Sequence, residues 1–200
     1  MDIGKLIERA KNICLSPKTE WPKIADEQAD TMSLFTGYAM ILAAIPAIAG
    51  FIGMSMIGMT MPIVGTIRTP MATGLVQLVV GYVLGLVAVF VLSLIINALA
   101  PTFDGQKNPL AALKLAIYSY TPSWIAGILM VIPLLGILVL IAALYGIYVL
   151  YVGLPSMMKS PPEKSVGYTA LIIVCAIVLG IIMAVVMSAL GGTAMMMGGM

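Results

Sequence analysis

The chain has 200 residues, of which 62% are hydrophobic and only 9% charged, against roughly a quarter charged in an average soluble domain. So few charges cannot clothe the polar surface of a water-soluble fold of this size, and lipid must face much of the molecule. The net charge is only +2 and there is no histidine. This gives no basis for nucleic-acid binding and removes the commonest general base and metal ligand.

Residues 1–33 are charged throughout and lack the apolar core of a cleavable leader, so the first span is expected to serve as an uncleaved insertion signal. Within them, Ile3, Leu6, Ile7, Ala10, Ile13 and Cys14 recur at helical spacing, with Lys5, Glu8, Arg9, Lys11 and Asn12 opposite. The pattern predicts an amphipathic helix, either lying in the cytoplasmic interface or packed on the ends of a bundle. Ser16-Pro17 ends it. Trp21 is expected to act as an interface anchor, its ring buried and its N–H wet. Asp26, Glu27 and Asp30 read as a solvated acidic face.

A bilayer core about 30 Å thick needs roughly 20 apolar residues in helical form. Five stretches qualify: 34–58, 72–100, 113–132, 134–155 and 167–190. Pro122 is expected to break the third, and Pro133 with Gly136 to separate the third from the fourth. A four-span reading would need a re-entrant element there. Five spans put Lys5, Arg9, Lys11, Lys18, Lys23, Lys107, Lys114, Lys159 and Lys164 on one side and Arg68 on the other. Positive residues collect inside, so the N-terminus is expected in the cytoplasm and the C-terminus outside. The fold class is therefore an all-α membrane protein: a five-helix transmembrane bundle over 34–190, preceded by an interfacial amphipathic helix and followed by a Met/Gly-rich outer tail, 191–200. Cys14 and Cys175 lie at different depths, which argues against a disulfide.

The central part of every span lacks Asp, Glu, Lys, Arg and His, which argues against a proton-driven transporter. Phosphate loops, zinc motifs and nucleophile elbows are missing too, so no enzyme and no cofactor are expected. Small residues recur at four-residue spacing at Ala176, Gly180, Ala184, Ser188 and Gly192, at Gly81 and Gly85, and at Ala142 and Gly146. Such ridges let helices approach closely, inside one protomer or between copies of a homo-oligomer. Asn97, Tyr118, Tyr120, Pro122, Tyr145, Tyr148 and Tyr151 read either as an interfacial belt with packing or as a polar groove between spans 3 and 4. Met54, Met56, Met59 and Met61 are soft thioethers that suit Cu(I); lacking a Cys or His partner, they read first as apolar filler.

The run Lys114-Leu115-Ala116-Ile117-Tyr118-Ser119-Tyr120-Thr121-Pro122 resembles the signature of the Yip family, the Ypt/Rab-interacting membrane proteins. Ser16-Pro17-Lys18-Thr19-Glu20-Trp21 and Leu144-Tyr145-Gly146-Ile147-Tyr148, running on to Tyr151, Gly153, Leu154 and Pro155, resemble its bacterial branch. So does the loop Ala100-Pro101-Thr102-Phe103 with Gly105 and Asn108-Pro109. The resemblance implies a five-helix inner-membrane domain with a cytoplasmic N-terminus and no catalytic residues. It also implies membrane or cytoplasmic protein partners, since eukaryotic members associate with prenylated Rab GTPases and with one another. This chain lacks the Asp-Leu-Tyr-Gly-Pro motif that usually precedes the first span, so GTPase binding is not carried over. The function expected is a non-enzymatic scaffold or adaptor, with a passive transporter, channel or lipid-handling protein as the alternative.

Overall fold

The computed structural model describes residues 3–61 and 65–197, with side chains over 3–60 and 65–189. Gly192 and the tail methionines lie beyond the last residue whose surroundings are described.

Two short helices come first, α1 (Ile3–Leu15) and α2 (Pro17–Asp26). Asp30 then opens the first membrane rod: its carboxylate accepts from Met32 N and Ser33 N at 3.1 and 3.2 Å, satisfying donors that a helix start leaves free. The rod runs from α3 (Thr31–Leu34) through a π-helical turn (Phe35–Ala39) into α4 (Met40–Phe51) and a second π turn (Ile52–Ile57). Gly58, at φ 84°, ends it in a conformation that favours glycine. An unpredicted antiparallel hairpin follows, β1 (Met59–Met61) with β2 (Gly65–Ile67), pairing Met59 with Ile67. Then come α5 (Met71–Leu99), α6 (Pro109–Ala126), α7 (Leu138–Met158) and α8 (Ser165–Met197).

Among the described residues, four rods are long and apolar enough to cross a membrane: Thr31–Ile57, Met71–Phe103, Pro133–Met158 and Pro162–Ala189. The remaining predicted span corresponds to α6, which differs in kind. Twelve of its 18 residues are buried, from Ala111 to Trp124, so protein rather than lipid surrounds it. A helix sheathed by others needs no uniform hydropathy, and it can carry Lys114, Ser119 and Thr121. The core centres on it: Leu115, Ala116 and Ile117 are fully buried, with Tyr38, Ile96, Leu154 and Tyr168 around them.

Pro122 does not break the third span: α6 continues through it to Ala126. The break lies further on, where the backbone tightens into 3-10 turns over Gly127–Val131 and Pro133–Ile137, with Ile132 extended between them. Extended geometry is what a residue before proline prefers. Pro155 likewise sits inside α7, which ends at Met158 where Lys159 turns left-handed.

The loops sort into two ends. Lys164 pairs with Asp104, Gln106 N donates to Met158 O at 2.7 Å, and Lys114 reaches α2. This gathers the N-terminal helices and both basic loops at one end. Arg68 lies at the other, where its Nε donates to Ile57 O at 3.3 Å.

Candidate functional site

The most elaborate polar and aromatic construction in the described residues holds α1 and α2 against the bundle. Leu6, Ala10 and Ile13 are the buried face of α1. Ile3 and Ile7, on the edge of that face, stay 71% and 60% exposed, so the predicted apolar stripe is divided between bundle and surroundings. The residues after Ser16-Pro17 are helical too, because Pro17 at the first position needs no N–H partner and its fixed φ suits a helix.

Trp21 is the wedge. It is 0% exposed, and its Nε1 donates to Val149 O at 3.0 Å. It is therefore an internal anchor, and the expectation of a wet N–H at the interface is corrected. Its slot exists because residue 153 is glycine: a Cβ there would lie 2.5 Å from the indole and 2.6 Å from Leu115 Cδ1. Tyr118 packs edge-on to Trp21 with centroids 6.2 Å apart, and to Tyr38 at 4.8 Å. Such edge-to-face pairs suit aromatic quadrupoles. Tyr38 Oη in turn shares a 3.0 Å hydrogen bond with Thr121 Oγ1.

The backbone ends of both short helices are also satisfied by the bundle. Tyr145 Oη donates to Cys14 O at 2.7 Å, meeting a carbonyl in the last turn of α1. Lys114 Nζ donates to Ile24 O at 2.8 Å and Glu27 O at 2.6 Å, placing a cation at the C-terminal end of α2 where the helix dipole favours one. Arg9 on α1 pairs with both Glu20 and Glu27. Burial opposes the Arg9 charge, but the hydrogen bond it donates to Glu27 and the charges of Glu27 and Glu20 outweigh it, and its pKa is raised. Glu27 and Asp30 thus have an ion pair and a cap as partners, which corrects their reading as a merely solvated face.

Burial pushes the Cys14 thiol from 9.0 to about 11. The docked form favours the neutral thiol, so this contribution to docking is intact below pH 9.0 and is lost as pH rises towards 11. Alkylation of Cys14 at pH 8 should be on the order of 100-fold slower than that of an undocked thiol, because the thiolate is the nucleophile. Maleimide labelling of the native and Trp21→Ala proteins, followed over time, measures that ratio.

The other singled-out residues scatter. Gly146 is an internal packing site, where a Cβ would lie 2.6 Å from Ser119 O. Gly85 and Gly180 have nothing within 4 Å of such a Cβ, and the nearest atom to one on Gly81 is Met187 Cε at 3.9 Å. Ala176 is half-buried, Ala142 is half-buried on α7, and Ala184 and Ser188 are exposed on α8. The tyrosines do not share one cavity. Tyr118 is core, Tyr120 leans on Trp124 with Ser119 and Ser123 beside a cavity of about 260 Å3, and Tyr148 and Tyr151 face outward beside α8. Asn97 is half-buried, with its Oδ1 unpartnered. Met54, Met56 and Met59 are exposed on the second π turn and β1, and the side chain of Met61 lies outside the described residues. No cluster of three or more His, Cys, Asp or Glu suited to a metal occurs among the described residues.

Sequence reading missed Gly153 as the slot, Tyr38 as the second aromatic and Lys114 as a helix cap. The signal for Gly153 was present: Tyr145, Val149 and Gly153 stand at four-residue intervals, on one helical face.

A buried central helix, four lipid-long rods around it and a strapped N-terminal pair define a polytopic α-helical membrane protein. The Yip1 domain matches residues 11–198, and the chain belongs to that family. It is similar to the inner membrane protein YohC of Escherichia coli K12, with 27% identity over 157 residues, which cover 77% of this chain and 80% of YohC. YohC of Escherichia coli O6:H1 strain CFT073 shows the same identity and coverage. No solved structure matches significantly. The relative and the apolar rods together support a multi-pass inner-membrane location.

Proposed function

We infer that the chain is a non-enzymatic membrane scaffold or adaptor with five spans, α6 among them. In this reading its N-terminus is cytoplasmic, its C-terminus outside, and residues 1–33 present a surface to partners. One observation carries the reading. The three separated motif pieces meet in space: Trp21 from the first, Lys114 and Tyr118 from the second, Tyr145 and Gly153 from the third. Their shared task is to hold a non-spanning segment against one end of the bundle, where a transporter would instead build a polar path through it. The outward edge of α1 supports the same reading. Ile3, Ile7 and Leu15 are largely exposed there among Lys5, Lys11 and Lys18, a composition that suits anionic headgroups or an acidic partner surface.

Self-association through α8 is the second element. Gly180 and Ala184 line a groove between α5 and α8, and Ser188 is exposed one turn further on, so a neighbouring helix can approach α8 closely along this edge. Mass determination of the nanodisc-embedded protein should show a defined oligomer. The Gly180→Leu/Ala184→Leu double variant should shift it towards monomer by about 1–2 kcal/mol, the scale of membrane helix contacts. A native monomer, or an unchanged oligomer in the variant, removes this element.

A further inference from the structure

Helices α4 and α5 face each other with small residues, Ala43, Ala47 and Gly50 against Gly74, Gly81 and Gly85. Facing small residues ordinarily let backbones close together. Here they do not: a cleft of about 360 Å3 remains between the helices, floored by Trp124 and Met130. It is tied at both ends. At the hairpin end Gly74 sits against Ser55 and Phe51, leaving no room for a Cβ. Further in, Tyr82 Oη donates to Met40 O at 3.0 Å.

Within the hairpin end of the cleft stands a buried polar group with nothing to bind. Ser55 lines the cavity, is 7% exposed, and its Oγ has no hydrogen-bond partner. An unmade hydrogen bond in such a place is costly, because the hydroxyl has given up water without gaining a partner. Gln77 lies exposed beside it, at the mouth of the cleft.

We propose that this cleft binds one acyl chain of a membrane phospholipid, drawn from the leaflet on the hairpin side, with the Ser55 hydroxyl, which rests against Gly74 in the structure, turning to donate to the chain's ester carbonyl. Three arguments select this occupant. The walls are apolar, so water gains little there, and an empty gap forfeits dispersion contacts. From Gly74 to Gly85 the helix rises roughly 16 Å, about half the hydrocarbon thickness and hence the depth of one leaflet. A helix from a second copy, about 10 Å across, does not enter between two helices already tied at both ends. The inference stands apart from the scaffold reading, since it concerns neither the N-terminal helices nor α8.

The test uses the full-length protein in nanodiscs of phosphatidylethanolamine and phosphatidylglycerol, doped with a phospholipid carrying a mid-chain diazirine. After irradiation, adducts are mapped by peptide mass spectrometry. Adducts are expected on Trp124 and Gln77 in excess over the lipid-facing Val178. Gly85→Leu should cut them about tenfold, the effect of displacing roughly two methylene groups from burial. Its side chain enters open space, since nothing lies within 4 Å of a Cβ there. Gly50→Leu plugs the same cleft from α4, meeting only the flexible end of Met130 at 3.6 Å, and serves as the second variant. Adducts at Trp124 no more frequent than at Val178 would overturn the proposal. So would adducts unchanged in both folded variants, or Trp124 protected by peptides of a second copy.

Discussion

Trp21→Ala should release α1 and α2 from the bundle while leaving the membrane rods folded. The indole is fully buried, fills the Gly153 slot and stacks edge-on with Tyr118. Truncating a buried tryptophan costs about 3–5 kcal/mol, which is of the order of a domain's whole stability. The loss falls on a docking contact rather than on the rods, because the rest of the core cluster centres on α6. Limited trypsin digestion reads it directly, with cleavage after Lys18 and Lys23 accelerated by two orders of magnitude or more. Trp21→Phe keeps one aromatic ring but loses the bond to Val149 O and part of the indole that fills the Gly153 slot, so its cost should lie between the roughly 1 kcal/mol of the lost hydrogen bond and that of Trp21→Ala. Gly153→Val should act like Trp21→Ala, since it closes the slot from the other side. Unchanged digestion in Trp21→Ala would mean that the strap is held elsewhere.

How much of this was readable beforehand depends on what each signal measures. Hydropathy reports contact with lipid. It located the rods that face lipid, and the spacing of basic residues placed the loops at two ends, as the contacts of Lys164, Lys114 and Arg68 bear out. It registers a helix wrapped in protein more weakly: 113–132 reads as an apolar stretch, yet α6 itself falls short of the four rods. It also misplaced Trp21. A tryptophan beside charged residues reads as an interface anchor, because nothing local reveals a glycine 132 positions later that makes room for it. Proline rules were right about where a chain bends and wrong about where a helix ends. Pro122 lies within α6, because packing on all sides holds the helix through the lost hydrogen bond. Small-residue spacing carried the least information. Gly146 and Gly85 sit in similar patterns, yet one touches Ser119 O and the other touches nothing. The difference lies in how far the partner helix stands off, a long-range property set by the bulky residues around it.

Lys114→Met should weaken the same docking by a different route. The ammonium is 4% exposed and supplies charge-assisted bonds to two carbonyls at the end of α2. Methionine keeps much of the stem's volume but donates nothing, so Ile24 O and Glu27 O lose their donor. Hydrogen bonds to charged groups contribute about 1.5–3 kcal/mol each, and water reaching the frayed end recovers part of that. A net loss near 2–3 kcal/mol is expected, visible as faster amide exchange confined to α2 and its flanks. The double variant Trp21→Ala/Lys114→Met is more informative than either single one. If the strap releases as a unit, the second substitution meets a segment already undocked, and the combined cost falls well short of the sum. Full additivity would show Trp21 and Lys114 to be independent anchors. The coupling matters for the scaffold reading, because a segment that releases as one unit presents or withdraws its whole partner surface in a single step, whereas independent anchors would let it fray residue by residue.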